Sequence, residues 1–251
     1  MPKPLSAGFD ALLFDLDGTL LDTAKDLVQT GHAIREALAL PPITDARMLG
    51  FVGRGAERFV HRLLTDDLAA DAASSLHREG MHHFHVFYNQ YNGLWAQPFP
   101  GVIEGLERLR EAKVPMAVVT NKGQFFTDRL LERSKLSHYF RFAIGGDALP
   151  HKKPHPQPLL EAAKRLGVKP QSVWMLGDSA NDANAARDAG MPVFLLPYGY
   201  REGLALDQIT CDGIVQSIDA FAQWTLQSNY LPKTPIGVGG AGTDPASGSD
   251  A

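Results

Sequence analysis

The 251-residue sequence predicts a doubly wound, Rossmann-like α/β fold whose parallel sheet is interrupted near its start by a helical insertion. Three observations predict it. Short, continuous apolar runs rich in branched residues recur along the chain, helical patterns separate them, and one long interval holds helical spacing without any such run. A parallel sheet has helices on both faces, so its strands are buried on both sides and read as unbroken apolar runs. Strand alternating with helix is the pattern of such a core.

Taken in order, ALLF at 11–14 is the first strand. The interval from Asp22 to Pro98 then shows helical spacing around Leu27, Ile34 and Leu38, around Phe59, Leu63 and Leu64, and onward to Tyr91. Phe99, Pro100 and Gly101 mark the return, because proline and glycine punctuate a chain. The core then continues as a helix over Val102 to Ala112, a strand at MAVV (116–119) and a helix over Phe125 to Lys135. A strand around Phe142 to Gly146, a helix over Pro158 to Leu166 and a strand at VWML (173–176) follow. A helix over Asn181 to Ala189, stopped by Gly190 and Pro192, leads to a strand at VFLL (193–196). The expected organisation is a core of residues 1–21 and 99–228, a helical cap of residues 22–98, and a tail of residues 229–251. That tail is mostly Gly, Pro, Ser, Thr and Ala, a composition expected to lack fixed structure.

Composition bounds the function. At 44% hydrophobic and 21% charged the chain resembles ordinary soluble globular proteins, and a net charge of -4 gives no electrostatic footprint for nucleic acid. The one cysteine, Cys211, cannot form an intramolecular disulfide. The first apolar stretch is far too short for a signal-peptide core or a membrane span. A cytoplasmic monomer or homodimer, with neither membrane nor nucleic-acid partner, is the expectation.

The chemistry announces itself at FDLDGTLLDT, residues 14–23. If the strand runs on, Asp15 and Asp17 project to one face and Leu16 to the other. Two carboxylates so placed repel each other, and a cation, a shared proton or differing protonation states must relieve them. Other strand ends also terminate in polar residues: Thr120, Asn121 and Lys122 after MAVV, and Gly177, Asp178, Ser179 and Asp182 after VWML. The strand near Phe142 leads into HKKPHP with Lys152 and Lys153. Ligands of open α/β sheets bind outside the carboxyl ends of the strands, so these residues are expected to meet at one edge.

These four segments, DLDGTLLD, TNK, KKPHPQPLL and GDSAND, resemble in order the four motifs of the haloacid dehalogenase superfamily, and the insertion resembles its C1-type helical cap. The resemblance covers nearly everything from Phe9 to about Trp224. Within it, GFVGRGAERFVHRLL and GGDALPHKKPHPQPLL look like the phosphoglycolate phosphatases and their near relatives. It implies Mg²⁺-dependent phosphomonoester hydrolysis on a small phosphorylated metabolite, 2-phosphoglycolate foremost.

Asp15 is then the nucleophile that forms an aspartyl-phosphate, and Asp17 the acid and base for leaving group and water. Lys153 neutralises the transferring group; the resemblance selects it over Lys152 because the family's lysine directly precedes the proline. Mg²⁺ prefers oxygen ligands, expected here from the Asp15 and Asp178 side chains and the Asp17 carbonyl, with Asp182 behind them. Thr120 and backbone N–H groups at Gly18 and Asn121 are expected to cradle the phosphate.

Other features have plainer readings. Asp22 fits an active-site wall and a helix N-cap equally. Of His82, His83 and His85 only the first and third share a helix face, too few for a metal site. Gly50, Gly53 and Gly55 follow no strand run and make no dinucleotide fingerprint. Arg54, between two of these glycines, is the candidate for a substrate carboxylate, which a guanidinium fork suits; an exposed arginine fits the same residues. Lys122 reads as a helix-start residue. Alternatives to the hydrolase are a phosphosugar mutase, which would share the five core residues, a phosphatase for another small ester, and a non-catalytic sensor of a phosphorylated ligand. A true dehalogenase would have no use for Asp17 and Asp178.

Overall fold

The computed structural model describes residues 8–228. The expected unstructured tail lies outside them. In chain order the elements begin β1 (Ala11–Phe14), β2 (Leu21–Asp22), α1 (Ala24–Ala37), α2 (Asp45–Leu49), α3 (Gly55–Thr65), α4 (Ser74–Tyr91) and β3 (Gln97–Pro98). They continue α5 (Val102–Glu111), β4 (Met116–Val119), α6 (Gln124–Arg133), β5 (Ala143–Ile144), α7 (Gln157–Leu166) and β6 (Val173–Gly177). The last are α8 (Ala180–Asp188), β7 (Val193–Leu195), β8 (Gly213–Ile214) and α9 (Ile218–Gln227).

The parallel sheet forms because its strands are apolar on both faces. Leu12, Phe14, Met116, Val118, Trp174 and Leu176 pack to one side with α5, α6 and α9. Their neighbours Ala11, Leu13, Ala117, Val119, Val173 and Met175 pack to the other with α7 and α8. Period-two alternation thus feeds two hydrophobic layers, as an internal parallel strand must. Six strands pair in the order β5-β4-β1-β6-β7-β8. Phe14 stands opposite both Val118 and Leu176, so β1, β4 and β6 end at one level. The chain moves outward from β1 through β4 to β5 and then crosses back to β6, which makes the carboxyl end of β1 the topological switch point and the place for a ligand.

Helices α1 to α4 all lie between β2 and β3, which pair antiparallel, Leu21 with Pro98 and Asp22 with Gln97. The chain therefore enters and leaves this helical segment side by side. The segment buries its own cluster, including Leu27, Ile34, Met48, Phe51, Leu63 and Phe84, and receives Phe126 from α6. No helix among the described residues is long and apolar enough to cross a membrane.

Helices α5 and α9 approach each other closely at Gly105, where a Cβ would stand 2.5 Å from the Asp219 nitrogen and 2.5 Å from the Ile218 carbonyl carbon. Gly105→Ala gains about 1 kcal/mol of helix propensity but forces backbone from backbone, an overpacking that costs about 1–3 kcal/mol. Backbone cannot turn aside as a side chain can, so the cost is expected at its upper end. A thermal melt should show a Tm several degrees lower; an equal or higher Tm would mean the two helices part freely.

Candidate active site

Asp15 follows β1 directly, and its N–H still donates to the Leu176 carbonyl at 3.0 Å, which fixes the backbone at the strand end. Its Oδ1 accepts from the Leu16 N–H at 2.7 Å and lies 2.9 Å from Lys153 Nζ. Lys153 is buried and donates also to Asp182 Oδ1 at 2.6 Å and to the Val119 carbonyl at 2.7 Å. Those partners come from the ends of three different segments. Asp182 is in turn held by the start of α8: Ser179 is the N-cap, and Asp182 Oδ2 accepts from the Ser179 N–H, the Ser179 hydroxyl and the Asp178 N–H at 3.1, 2.7 and 3.2 Å. This is a capping box, with an acid at the third helical position reaching back to the cap.

Asp178 lies beside this group, accepting from the Thr19 hydroxyl at 2.6 Å and from the Tyr200 N–H at 2.7 Å. Carboxylate oxygens of Asp15, Asp178 and Asp182 come within 4.8 Å of one another. Among the described residues this is the one such gathering of acids, histidines or cysteines, and the α4 histidines form none. Burial pushes Asp15 up to about 6, with Lys153 pulling it back and Asp182 adding to the rise. Burial, then Asp182 and Asp15, push Asp178 well above the usual carboxylate range. For Lys153 burial acts downward, yet Asp15 and Asp182 keep it above the ordinary lysine value. One ammonium cannot neutralise three acids gathered this closely. Asp182 carries the Lys153 ammonium on one oxygen and three donors on the other, whereas each Asp178 oxygen accepts a single neutral donor, so Asp15 and Asp178 are the all-oxygen donor set that fits a hard divalent cation.

Asp17 stands apart from that group. Its Oδ1 accepts from the Thr23 hydroxyl at 2.7 Å, and Lys122 Nζ lies 2.9 and 3.0 Å from its two oxygens. The Lys122 ammonium also donates to the Tyr88 hydroxyl of α4 and sits 4.8 Å from that ring's centre. Lys122 therefore does more than start a helix, and its place directly after Thr120 and Asn121 was the available signal. Tyr88 carried no signal in the sequence, because only the fold brings α4 over β4.

Thr120 is buried, lines the cleft and accepts from the Lys122 N–H at 3.3 Å. Asn121 donates through Nδ2 to the Lys153 carbonyl at 2.8 Å and to the Gly53 carbonyl at 3.1 Å, tying the sheet edge to the helical segment. The expected donor role of Gly18 needs correction. Its N–H is spent on the Leu21 carbonyl at 2.9 Å. What Gly18 contributes is room: at φ +86° it passes so near Asp178 that a Cβ would stand 2.6 Å from Oδ2. Arg54 is placed outside the cleft lining, with its side chain 55% exposed and its Nε 3.0 Å from Glu202. Glu202 also lies 3.3 Å from Arg62, so it joins two arginines of the helical segment to the loop after β7. Asp22 accepts from the Ala24 N–H at 3.1 Å and from the Tyr200 hydroxyl at 2.6 Å.

The cleft over the strand ends has a volume of about 410 Å³. Asp15, Asp17, Thr120, Lys153 and Asp178 line its sheet side, and Phe59, Met81, Phe84, Tyr88 and Phe126 much of the other. An apolar wall facing a few convergent polar groups is the usual form of a small-molecule site.

Comparison with known proteins agrees with this geometry. Residues 12–196 match the haloacid dehalogenase-like hydrolase family. A phosphoglycolate phosphatase of Nitrosospira multiformis is 41% identical over 217 residues, covering 86% of this chain and 94% of the relative. One from Thiobacillus denitrificans is 38% identical over 217 residues with the same coverage, 86% and 94%. The crystal structure of a predicted phosphoglycolate phosphatase from Haemophilus somnus 129pt superposes with a TM-score of 0.82 at 28% identity, over 88% of this chain and 100% of that one.

The Lys122 contact gives a test of the site's internal wiring. Lys122→Met keeps the stem and removes the charge, leaving Asp17 largely buried without its counter-ion, a change that costs about 3 kcal/mol. For a chain of this size that is a Tm loss of roughly 6–12 °C. The double variant with Asp17→Asn should recover a good part of the loss, because the two groups act on each other. Strictly additive losses in the thermal melts would deny the pairing.

Proposed function

The chain belongs to the haloacid dehalogenase-like hydrolases, and we propose that it is a Mg²⁺-dependent phosphomonoesterase that hydrolyses 2-phosphoglycolate through a phosphoaspartyl intermediate. The observation that carries this reading is the pair of acids on one cleft in different company. Asp15 faces Lys153 beside the acidic group, and Asp17 faces Lys122 and Thr23. Two carboxylates with separate partners can take separate roles.

In the proposed reaction an oxygen of Asp15 attacks phosphorus in line with the ester oxygen. The Oδ1 atom is held by the Leu16 N–H and Lys153, so the carboxylate cannot swing away from the cleft. As the ester P–O bond breaks, the departing alkoxide takes a proton from Asp17. Asp17 then accepts a proton from water, which attacks the same phosphorus; the P–O bond to Asp15 breaks, inorganic phosphate leaves and the carboxylate is regenerated. Throughout, Lys153 balances charge on Asp15 and on the transferring group, while Thr120 offers its hydroxyl to the phosphoryl oxygens. Asp15 and Asp178 are the side chains that would hold Mg²⁺, which neutralises charge on the phosphoryl group when bound. The helical segment acts as a cap that excludes water from the reacting atoms.

The relatives' names support hydrolysis over the mutase alternative, which shares the same core residues, and they support 2-phosphoglycolate as the substrate. The test is release of phosphate from 2-phosphoglycolate. It is expected to stop on chelation by EDTA, to return with Mg²⁺, and to vanish in Asp15→Asn, whose amide is a very poor nucleophile. Turnover by that variant within tenfold of wild type would sink the mechanism. Asp17→Asn should lose far more activity on alkyl than on aryl phosphates, because a phenolate leaves with little help from an acid. Equal losses on both would remove Asp17 from the general-acid role. Mg²⁺ should also raise the Tm of the wild type and have a much smaller effect on Asp178→Asn, since ligand binding stabilises only the fold that has the site.

A further inference from the structure

The cleft holds a positive charge that the reaction above does not use. Lys152 directly precedes Lys153, yet its side chain goes to different surroundings: half-buried, lining the cleft. Lys153 sits on Asp15 and Asp182, and Lys122 on Asp17. Among the described residues, Lys152 Nζ has neither an ion pair nor a hydrogen bond. Two acids act on it from a distance, Glu57 and Asp147, and both have other partners. Glu57 lies 3.3 Å from His77, and Asp147 accepts the Gln124 N–H at 2.7 Å at the start of α6. Burial, the largest influence on Lys152, outweighs them and holds it below the ordinary lysine value. A half-buried ammonium without a counter-ion is a standing cost that an arriving anion would remove.

Its position suits a substrate's far end. Lys152 Nζ and the Asn121 carbonyl flank one point, 3.1 and 2.9 Å from where a Cβ on Gly55 would stand. Gly55, at φ +80°, has no side chain to fill that point. The ammonium thus hangs beside Asn121, the residue after Thr120, within the cleft that holds Asp15 and Asp17. Arg54, the other cation of this region, is outside the cleft and already paired with Glu202.

We propose that Lys152 receives a carboxylate carried by the alcohol portion of the substrate, so that the enzyme selects carboxylated phosphomonoesters over neutral ones. The proposal rests on the phosphatase reading and adds a specificity-determining residue to it. A neutral alcohol leaves the ammonium unpaired when the cleft is filled, whereas a carboxylate one carbon from the ester oxygen satisfies it. Discrimination then comes from the unmet polar group as much as from the met one.

The experiment compares kcat/KM for 2-phosphoglycolate and for ethyl phosphate, similar in size but without the carboxylate, in the wild type, Lys152→Met and Lys152→Arg. The wild type is expected to prefer 2-phosphoglycolate. Lys152→Met should reduce that preference by about ten- to hundredfold, the worth of one charge-assisted contact expressed in the transition state, and Lys152→Arg should restore most of it. A preference retained in Lys152→Met, or equal falls on both esters, overturns the assignment. A wild type that hydrolyses both esters equally overturns the carboxylate subsite while leaving the phosphatase standing. Hydrolysis of neither ester by Mg²⁺-loaded wild type overturns both readings.

Discussion

A buried ammonium must find acceptors, and the three that Lys153 finds hold the sheet edge together. Asp15 comes from the end of β1, the Val119 carbonyl from the end of β4, and Asp182 from the first turn of α8. Removing any acceptor would strand a charge away from water, a defect worth several kcal/mol, so the three segments are constrained to meet. Asp182 cannot shift to compensate, because its other oxygen caps the helix through Ser179 and the Asp178 N–H. Asp178 is thereby set on its backbone next to Asp15. Pleat and register bring the strand ends level; the lysine decides where the side chains beyond them stand.

The electrostatics of the cleft follow from that arrangement. Among the described residues, Asp15, Asp17, Asp178 and Asp182 face only Lys122 and Lys153 as ion-pair partners. The excess is negative, which is hostile to a phosphate ester on its own and welcoming to a divalent cation. With the cation in place the same edge turns from repelling a phosphoryl group to attracting it. Lys152, which lines the same cleft with no ion pair among the described residues, adds a further positive charge to it.

The helical segment meets the core through polar contacts at its rim as well as through apolar ones. The Gly53 carbonyl accepts from both Asn121 and Asn181, Glu202 meets Arg54 and Arg62, and Tyr88 meets Lys122. Of these the Arg54 contact is exposed and individually modest, whereas Arg62, Tyr88 and Lys122 are buried. Phe126 and Tyr200 are the core side chains that reach into that cluster. The chain enters and leaves the segment side by side, through β2 and β3.

The sequence by itself determined the architecture and the chemical cast. Four of the strands are read in place at ALLF, MAVV, VWML and VFLL, because burial on both faces demands continuous apolar runs. Helices α5 to α8 are read to within about two residues of their ends for a similar reason, their boundaries marked by glycine, proline and polar caps. Strand β8 and helix α9 were not legible: β8 is two residues long, and α9 follows it without an apolar strand run to mark the alternation. Asp15, Asp17, Thr120 and Asp178 were legible because local backbone order places them just past strand ends, and Lys153 only through the resemblance that selects it over Lys152. What tertiary structure alone decided is who faces whom. Lys122 meeting Asp17 and Tyr88, Arg54 turning to Glu202 and the Gly18 N–H folding back on Leu21 are contacts of this kind, and the want of a partner for Lys152 among the described residues is decided the same way. A period of two or 3.6 states which way a side chain leaves its own element, and only the packing of elements states what it meets there.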